Sequence, residues 1–287
     1  MYLYLLQSLC LRLSDNATHK KMKFGLIGHP IAHSLSPALF NAGYDGRYPY
    51  HLIETPDFEE AYSSFLQEYD GINVTAPFKE LAFAKADILS EECKLIGAAN
   101  LLVKTPEGIK AYNSDLLGVR MWLQNVAPSG DSKQSVLIVG CGGAGKAAAV
   151  AAATLEMHCI LMNRDMTKAD ILSERLNSNG FSTEVRDIDE FRECFLKADI
   201  IIYNIPTAIP QLTELDEKDF TSGRPKHILE ANYKDPSFHK ELIMRMQRVN
   251  HLATYTEGRT WLLNQAVTGY EIFTGEKPDL IRMADVI

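Results

Sequence analysis

Lys79 closes the stretch NVTAPFK (Asn73–Lys79) and stands where a proline-ended strand hands over to a helix. The helix dipole opposes an ammonium at that end. A lysine placed there calls for a carboxylate partner, and Asp115 in YNSDLLG (Tyr112–Gly118) is the candidate. In GHPIAHSLSP (Gly28–Pro37), Ser34 and Ser36 are two hydroxyls spaced to face one pocket from extended chain, which suits a carboxylate ligand. Ser36 before Pro37 also reads as a helix cap. His29 and His33 are four apart, but Pro30 lies between them and no H-E-x-x-H pattern follows, so no metal site is expected. Trp261, Leu262, Leu263 and Val267 read as core.

A further stretch, SVLIVGCGGAGKAAA (Ser135–Ala149), runs from an apolar strand through glycines into an alanine-rich helix. Such a turn lets backbone N–H groups approach a phosphate, with the helix N-terminus adding its positive end. Gly140, Gly145 and Lys146 nearly spell a nucleoside-triphosphate loop, but Ala147 stands where that loop needs a magnesium-binding hydroxyl. Gly140, Gly142 and Gly145 spell the dinucleotide fingerprint G-x-G-x-x-G, with Gly143 and Ala144 completing the turn. About 20 residues beyond that fingerprint, an acid favours NAD and a base the 2′-phosphate of NADP. The chain offers Asn163 and Arg164 there, with Lys168 on the next helical turn, so NADP is the expected dinucleotide. Asp165 between them would repel a phosphate unless it turns away to cap the following helix, and it leaves NAD open.

These stretches need elements to hold them. Periodicity gives strands at 23–28, 50–54 and 72–74, helices at 37–44 and 57–68, then helical chain to about 97 and a hairpin of 100–103 with 109–112. Asp57 is the expected cap of the second helix. A second series begins with a helix at 119–126, followed by strands at 136–139, 159–162, 183–185, 200–203 and 227–230. Helices at 144–155, 168–177, 190–198 and 238–249 separate these strands. Alternation of this kind implies βαβ units and a parallel sheet. The fold class is therefore α/β with two domains. The apolar helix 260–273 lies beyond the second series and is expected to return to the first. The three polar stretches of the first series each follow an apolar strand, where open α/β sheets bind ligands.

The 287 residues, 46% hydrophobic and 23% charged, are enough for two domains of a soluble globular protein. A net charge of −8 gives no general attraction for nucleic acid or anionic membranes. Five cysteines without C-x-x-C spacing argue against a disulfide framework or zinc site and suit a reducing, cytoplasmic setting. The opening MYLYLLQSLCLRL has neither the basic flank nor the cleavage site of a signal, and is too short to span a bilayer. It reads as an extension ahead of Met22, an alternative start.

Taken together, the motifs resemble the shikimate dehydrogenase family. Its G-x-P-x-x-H-S-x-S-P matches Gly28–Pro37, its N-V-T-x-P-F-K Asn73–Lys79, and its G-A-x-N Gly97–Asn100. Its N-[TS]-D-x-x-G matches Asn113–Gly118, its glycine turn Gly140–Gly145, its N-R Asn163–Arg164, and its G-x-x-x-L-x-x-Q-A Gly258–Ala266. The resemblance implies a discontinuous substrate domain (1–117 plus 254–287) and an inserted Rossmann-like NADP domain (118–253). The implied reaction is reversible reduction of 3-dehydroshikimate to shikimate with NADPH, a step of aromatic amino acid and chorismate biosynthesis. It further implies Lys79 and Asp115 as the catalytic pair and Ser34 and Ser36 on the ring carboxylate, with Tyr233 nearby. Asn73, Thr75, Asn100 and Gln265 would bind the remaining polar groups, and Gly258 would border the cofactor. Partners would be small molecules, with a monomer or homodimer as the assembly.

Three departures stand out. Asn204–Ile209 replaces the family's N-x-T-x-x-G-M, Gly258–Leu262 (GRTWL) replaces G-L-x-M-L, and Asp165 replaces a threonine. The first two border the nicotinamide in the family. A quinate/shikimate dehydrogenase using NAD and a non-catalytic dinucleotide-binding module are the alternatives.

Overall fold

In the computed structural model, which describes residues 22–127, 134–221 and 223–287, Ile27, Ile72 and Val74 carry one apolar face of a sheet. Residues 1–21, and the extension read from them, lie outside the described residues. The first series comprises β1 (Phe24–Gly28), α1 (Ser36–Tyr44), β2 (Tyr50–Glu54), α2 (Phe58–Glu68) and β3 (Gly71–Val74). It continues through α3 (Lys79–Lys85), β4 (Ile88–Leu89), α4 (Glu91–Ile96), β5 (Leu101–Thr105) and β6 (Gly108–Tyr112). Asp57 caps α2, its carboxylate accepting from the Glu59 and Glu60 N–H groups. The chain expected as helix from Val74 to Gly97 is interrupted by β4, because Ile88 and Leu89 pair with the sheet edge at Lys110 and Ala111.

The sheet order is β2-β1-β3-β5-β6-β4. β1 runs parallel to β2 and β3, while the β5–β6 hairpin reverses twice. β6 therefore points the same way as β1 and β3. This brings the ends of β1, β3 and β6, and the start of β5, to one edge.

α5 (Ser114–Val126) leads to the second series. It starts five residues before the expected 119, because the Asn113 side chain accepts the Leu116 N–H and nucleates the first turn. β7 (Ser135–Val139), α6 (Gly143–Ala153), β8 (His158–Met162), α7 (Met166–Ser178), β9 (Thr183–Arg186), α8 (Phe191–Lys197) and β10 (Ile200–Tyr203) follow. Beyond them lie α9 (Pro210–Thr213), β11 (Lys226–Glu230), α10 (Lys240–Val249) and β12 (Ala253–Thr256). All six strands are parallel, in the order β12-β11-β10-β7-β8-β9. This is the doubly wound order of dinucleotide-binding folds, with its reversal between β7 and β10. β12 pairs with β11 as far as Leu229 and Thr256, so the second sheet runs past 253.

α11 (Gly258–Thr274) and α12 (Leu280–Ala284) close the chain. α11 returns to the first unit, where Ala266, Tyr270 and Phe273 share a core with Phe24, Phe40 and Leu101. It also packs along α5, and Gly118 is the point of closest approach: a Cβ there would lie 2.7 Å from the Gln265 nitrogen. Polar contacts among the described residues also tie the units together. Arg175 of α7 donates to the Leu95 carbonyl at 3.2 Å, and Lys146 of α6 pairs with Glu80 of α3 at 3.2 Å.

Within the second unit Lys226 is 2% exposed, and its ammonium donates to the Phe195 and Ala198 carbonyls, both at 2.6 Å, at the end of α8. Burial pushes its pKa down from 10.5 to about 8. Between those values the folded chain binds fewer protons than the unfolded one, so the contribution of Lys226 to stability rises with pH across that window. Relative to Lys226→Met, the native protein is expected to gain about 2 kcal/mol in unfolding free energy from pH 7 to pH 10. Urea titrations of both proteins check this. Parallel pH dependences would show that the ammonium is not strained.

Candidate active site

The three polar stretches of the first series meet at the shared edge of the first sheet. They line a cavity of about 510 Å³ that also takes in residues from the second unit and α11. Lys79 is the first residue of α3, and Asp115 lies in the first turn of α5. The Lys79 ammonium donates to the Asp115 carboxylate at 2.6 Å, with both side chains largely buried (21% and 16% exposed). The partner that a lysine at a helix start requires is thus supplied, and Asp115 is favoured by its own helix dipole. One of the three Lys79 donors is used by Asp115, leaving two for a ligand.

Ser34 and Ser36 both line the cavity, their hydroxyl oxygens 3.1 Å apart. The expectation that Ser36 caps a helix is corrected: it is the first residue of α1, whose cap position is Leu35, and it makes no capping bond. Asn73, Thr75, Asn100, Tyr233 and Gln265 line the same cavity. The Asn73 carbonyl oxygen accepts from the Tyr50 hydroxyl at 2.8 Å, and its amide donates to the Asn100 carbonyl at 3.4 Å. Asn100 in turn accepts from the Ser114 N–H at 2.7 Å and donates to the Ser114 hydroxyl, which donates to Gln265 at 3.0 Å. Each amide is fixed by a bond that leaves at least one N–H to point elsewhere. Tyr270 donates to the Ser36 carbonyl. Burial holds the Tyr50 and Tyr270 phenols well above their ordinary pKa, so both stay protonated donors.

The glycine turn follows β7 at the strand-order reversal. Gly140 has φ +95°, and a Cβ on Gly145 would be driven into the Gly140 carbonyl. Gly142 and Gly143 are exposed, and a Cβ on Gly142 would meet nothing within 4 Å. The turn therefore presents an open backbone cradle at the start of an 11-residue helix. The buried Asn204 Oδ1, close under the turn at the end of β10, has no hydrogen-bond partner. The cradle, with its backbone N–H groups at a helix start, fits a dinucleotide pyrophosphate. A Cβ on Gly143 would lie 4.0 Å from Lys79, so the cradle opens directly beside the Lys–Asp pair. Ala144 and Gly258 line the cavity on this side.

Asn163 stands at the end of β8, but both of its polar ends are taken. Its oxygen accepts the Cys141 N–H at 3.0 Å, and its amide donates to the Asp165 carbonyl at 2.8 Å. It braces the glycine turn against the next loop. Arg164 and Lys168 are exposed beside it. Asp165 occupies the cap position of α7 without making a capping bond, contrary to expectation, and lies 4.0 Å from the Lys168 ammonium. Lys146, the residue that suggested a triphosphate loop, pairs with Glu80 across the cleft.

Sequence reasoning missed Ser114, Tyr50 and Tyr270, which hold the cavity-lining side chains. The signal available was that Ser114 sits between a capping asparagine and Asp115. Trp261 is buried as expected (5% exposed), and it also lines the cavity. Among the described residues no cluster of His, Cys, Asp or Glu could hold a metal, and no helix is long and apolar enough to cross a membrane.

Comparison with known proteins concerns the chain's sequence and fold. Residues 26–102 match the shikimate dehydrogenase substrate binding domain, and residues 124–229 match shikimate/quinate 5-dehydrogenase. The NADP(+) shikimate dehydrogenase of Methanothermobacter thermautotrophicus is 30% identical, over 94% of this chain and 97% of that protein. The crystal structure of Mycobacterium tuberculosis shikimate dehydrogenase is 28% identical with a TM-score of 0.76, covering 92% of this chain and 98% of that one. Shikimate 5-dehydrogenase of Thermus thermophilus, in complex with NADP(H) and shikimate, is 25% identical with a TM-score of 0.75, again over 92% and 98%.

Proposed function

The chain belongs to the shikimate dehydrogenase family, and from that premise we propose that it interconverts 3-dehydroshikimate and shikimate with NADP(H), using Lys79 and Asp115 as its catalytic pair. The observation that carries this reading is the 2.6 Å Lys79–Asp115 ion pair beside the glycine cradle. The first sheet with α11 forms the substrate unit, and the second sheet the NADP unit.

Bound NADPH supplies the hydride. Lys79 points its remaining donors at the substrate oxygen, stabilises the negative charge that develops there and delivers the proton. Asp115 holds the ammonium in place and accepts from a substrate hydroxyl. Ser34 and Ser36 bind the ring carboxylate, with Tyr233 nearby. Asn73, Thr75, Asn100 and Gln265 pair the remaining hydroxyls, each of which would cost about 1–3 kcal/mol if buried unpaired. Gly140, Gly142, Gly143, Ala144 and Gly145 hold the pyrophosphate, Asn163 braces their turn, and Gly258 borders the nicotinamide. Arg164 and Lys168 face the 2′-phosphate, with Asp165 drawn toward Lys168. The described cysteines are all buried and free, which suits the cytoplasm.

Following the absorbance of the reduced nicotinamide, NADPH or NADH, with shikimate and either NADP⁺ or NAD⁺ tests the reading. Turnover preferring NADP⁺ supports it. Preference for NAD⁺ would overturn the cofactor assignment, and no turnover with either would overturn the reaction. Arg164→Ala is expected to weaken NADP⁺ binding about tenfold, the loss of one exposed charge-assisted contact, and to leave NAD⁺ binding unchanged. Equal weakening of both would place the 2′-phosphate elsewhere.

A further inference from the structure

Trp261 lies on the first turn of α11, and that turn is pinned to the second unit. A Cβ on Gly258 would lie 2.7 Å from the Glu230 carbonyl oxygen, so the helix starts hard against the end of β11. From there the indole reaches into the first unit, where its N–H donates to the Asp115 carbonyl at 3.0 Å. The ring packs in a core shared with Leu116, Ala147 and Leu229, drawn from α5, α6 and β11. One turn later Gln265 accepts from Ser114, the residue before Asp115. Two successive turns of α11 thus grip the first turn of α5, and Trp261 is the grip nearest the ion pair.

We infer that Trp261 is a positioning residue, which holds Asp115, and through it the Lys79 ammonium, in register with the wall contributed by the dinucleotide unit. The inference rests on the Lys79–Asp115 chemistry proposed above. A buried indole N–H requires an acceptor, and many carbonyls would satisfy it. The chosen acceptor belongs to the residue that fixes the lysine. A shift at this point moves the ammonium relative to both substrate and cofactor, and rate is sensitive to displacements of that size.

The 287-residue chain carries two tryptophans, which supplies a matched control. Trp122 is also buried, and its N–H donates to the Thr256 hydroxyl at 3.1 Å, away from the ion pair. Trp261→Phe keeps an aromatic ring and loses the N–H. It is expected to lower kcat about tenfold while KM for shikimate changes less than about twofold. Trp122→Phe is expected to lower the unfolding temperature by a similar amount and leave kcat near the parent value. In the Trp122→Phe protein the emission of Trp261 should shift when shikimate is added without cofactor. Unimpaired kcat in Trp261→Phe, an equal kcat loss in Trp122→Phe, or an emission spectrum indifferent to saturating shikimate would each overturn the inference. Full turnover in Lys79→Ala would instead overturn the reading on which it rests.

Discussion

Lys79→Ala is expected to oxidise shikimate about 10²–10⁴ times more slowly than the parent protein, with KM altered only severalfold. The ammonium is asked to do two things that an alanine cannot: stabilise charge on the substrate oxygen and carry its proton. A thousandfold loss corresponds to about 4 kcal/mol of transition-state stabilisation, in the range of one well-placed charged donor. The fold should survive, because Asp115 loses its cation but keeps the favourable N-terminal field of α5. Steady-state rates alongside a thermal melt provide the check. A loss below tenfold in a folded protein would remove Lys79 from the chemistry.

Gly145→Ala is expected to weaken NADPH binding by about 10²-fold or more. The added methyl would lie 2.8 Å from the Gly140 carbonyl carbon and closer still to its oxygen. Gly140 cannot easily yield, since its φ of +95° belongs to a conformation that the turn itself demands. Either the turn opens or α6 slides, and both move the cradle's N–H groups by about an ångström, a displacement that costs about 10²-fold in aligned interactions. Fluorescence titration with NADPH measures the loss directly. Binding within tenfold of the parent would show that the pyrophosphate does not rest on this turn.

Much of this architecture was written in local patterns. Strand positions were legible because buried strands are short apolar runs, and the cap of α2 because Asp57 has the right chemistry at the right spacing. β4 was not legible, since Ile88 and Leu89 become a strand only by pairing with β6, a partner distant in sequence. The early start of α5 was masked by Gly118, which resembles a break and is in fact the contact point for α11. β12 carries an exposed Thr254 and a half-buried Thr256 and owes its strand state to β11. At the site, every side chain expected to meet substrate lines the one cavity. The residues that hold them, Tyr50, Ser114 and Tyr270, were missed because holding is a relation between distant segments. Asn163 shows the converse: its position at the strand end was correct, but which atoms it engages depended on a turn 22 residues upstream.

The return of α11 also bears on how the chain is made. The first sheet is complete in sequence at Tyr112, but the apolar face formed by Phe24, Phe40 and Leu101 is covered by residues from Ala266 onward. A ribosome delivers the whole of the second sheet before it delivers that cover. During synthesis the inserted unit can finish first, while the unit begun earlier waits with an open face. Loss of the last turns of the chain would therefore damage the part translated first and leave the middle intact.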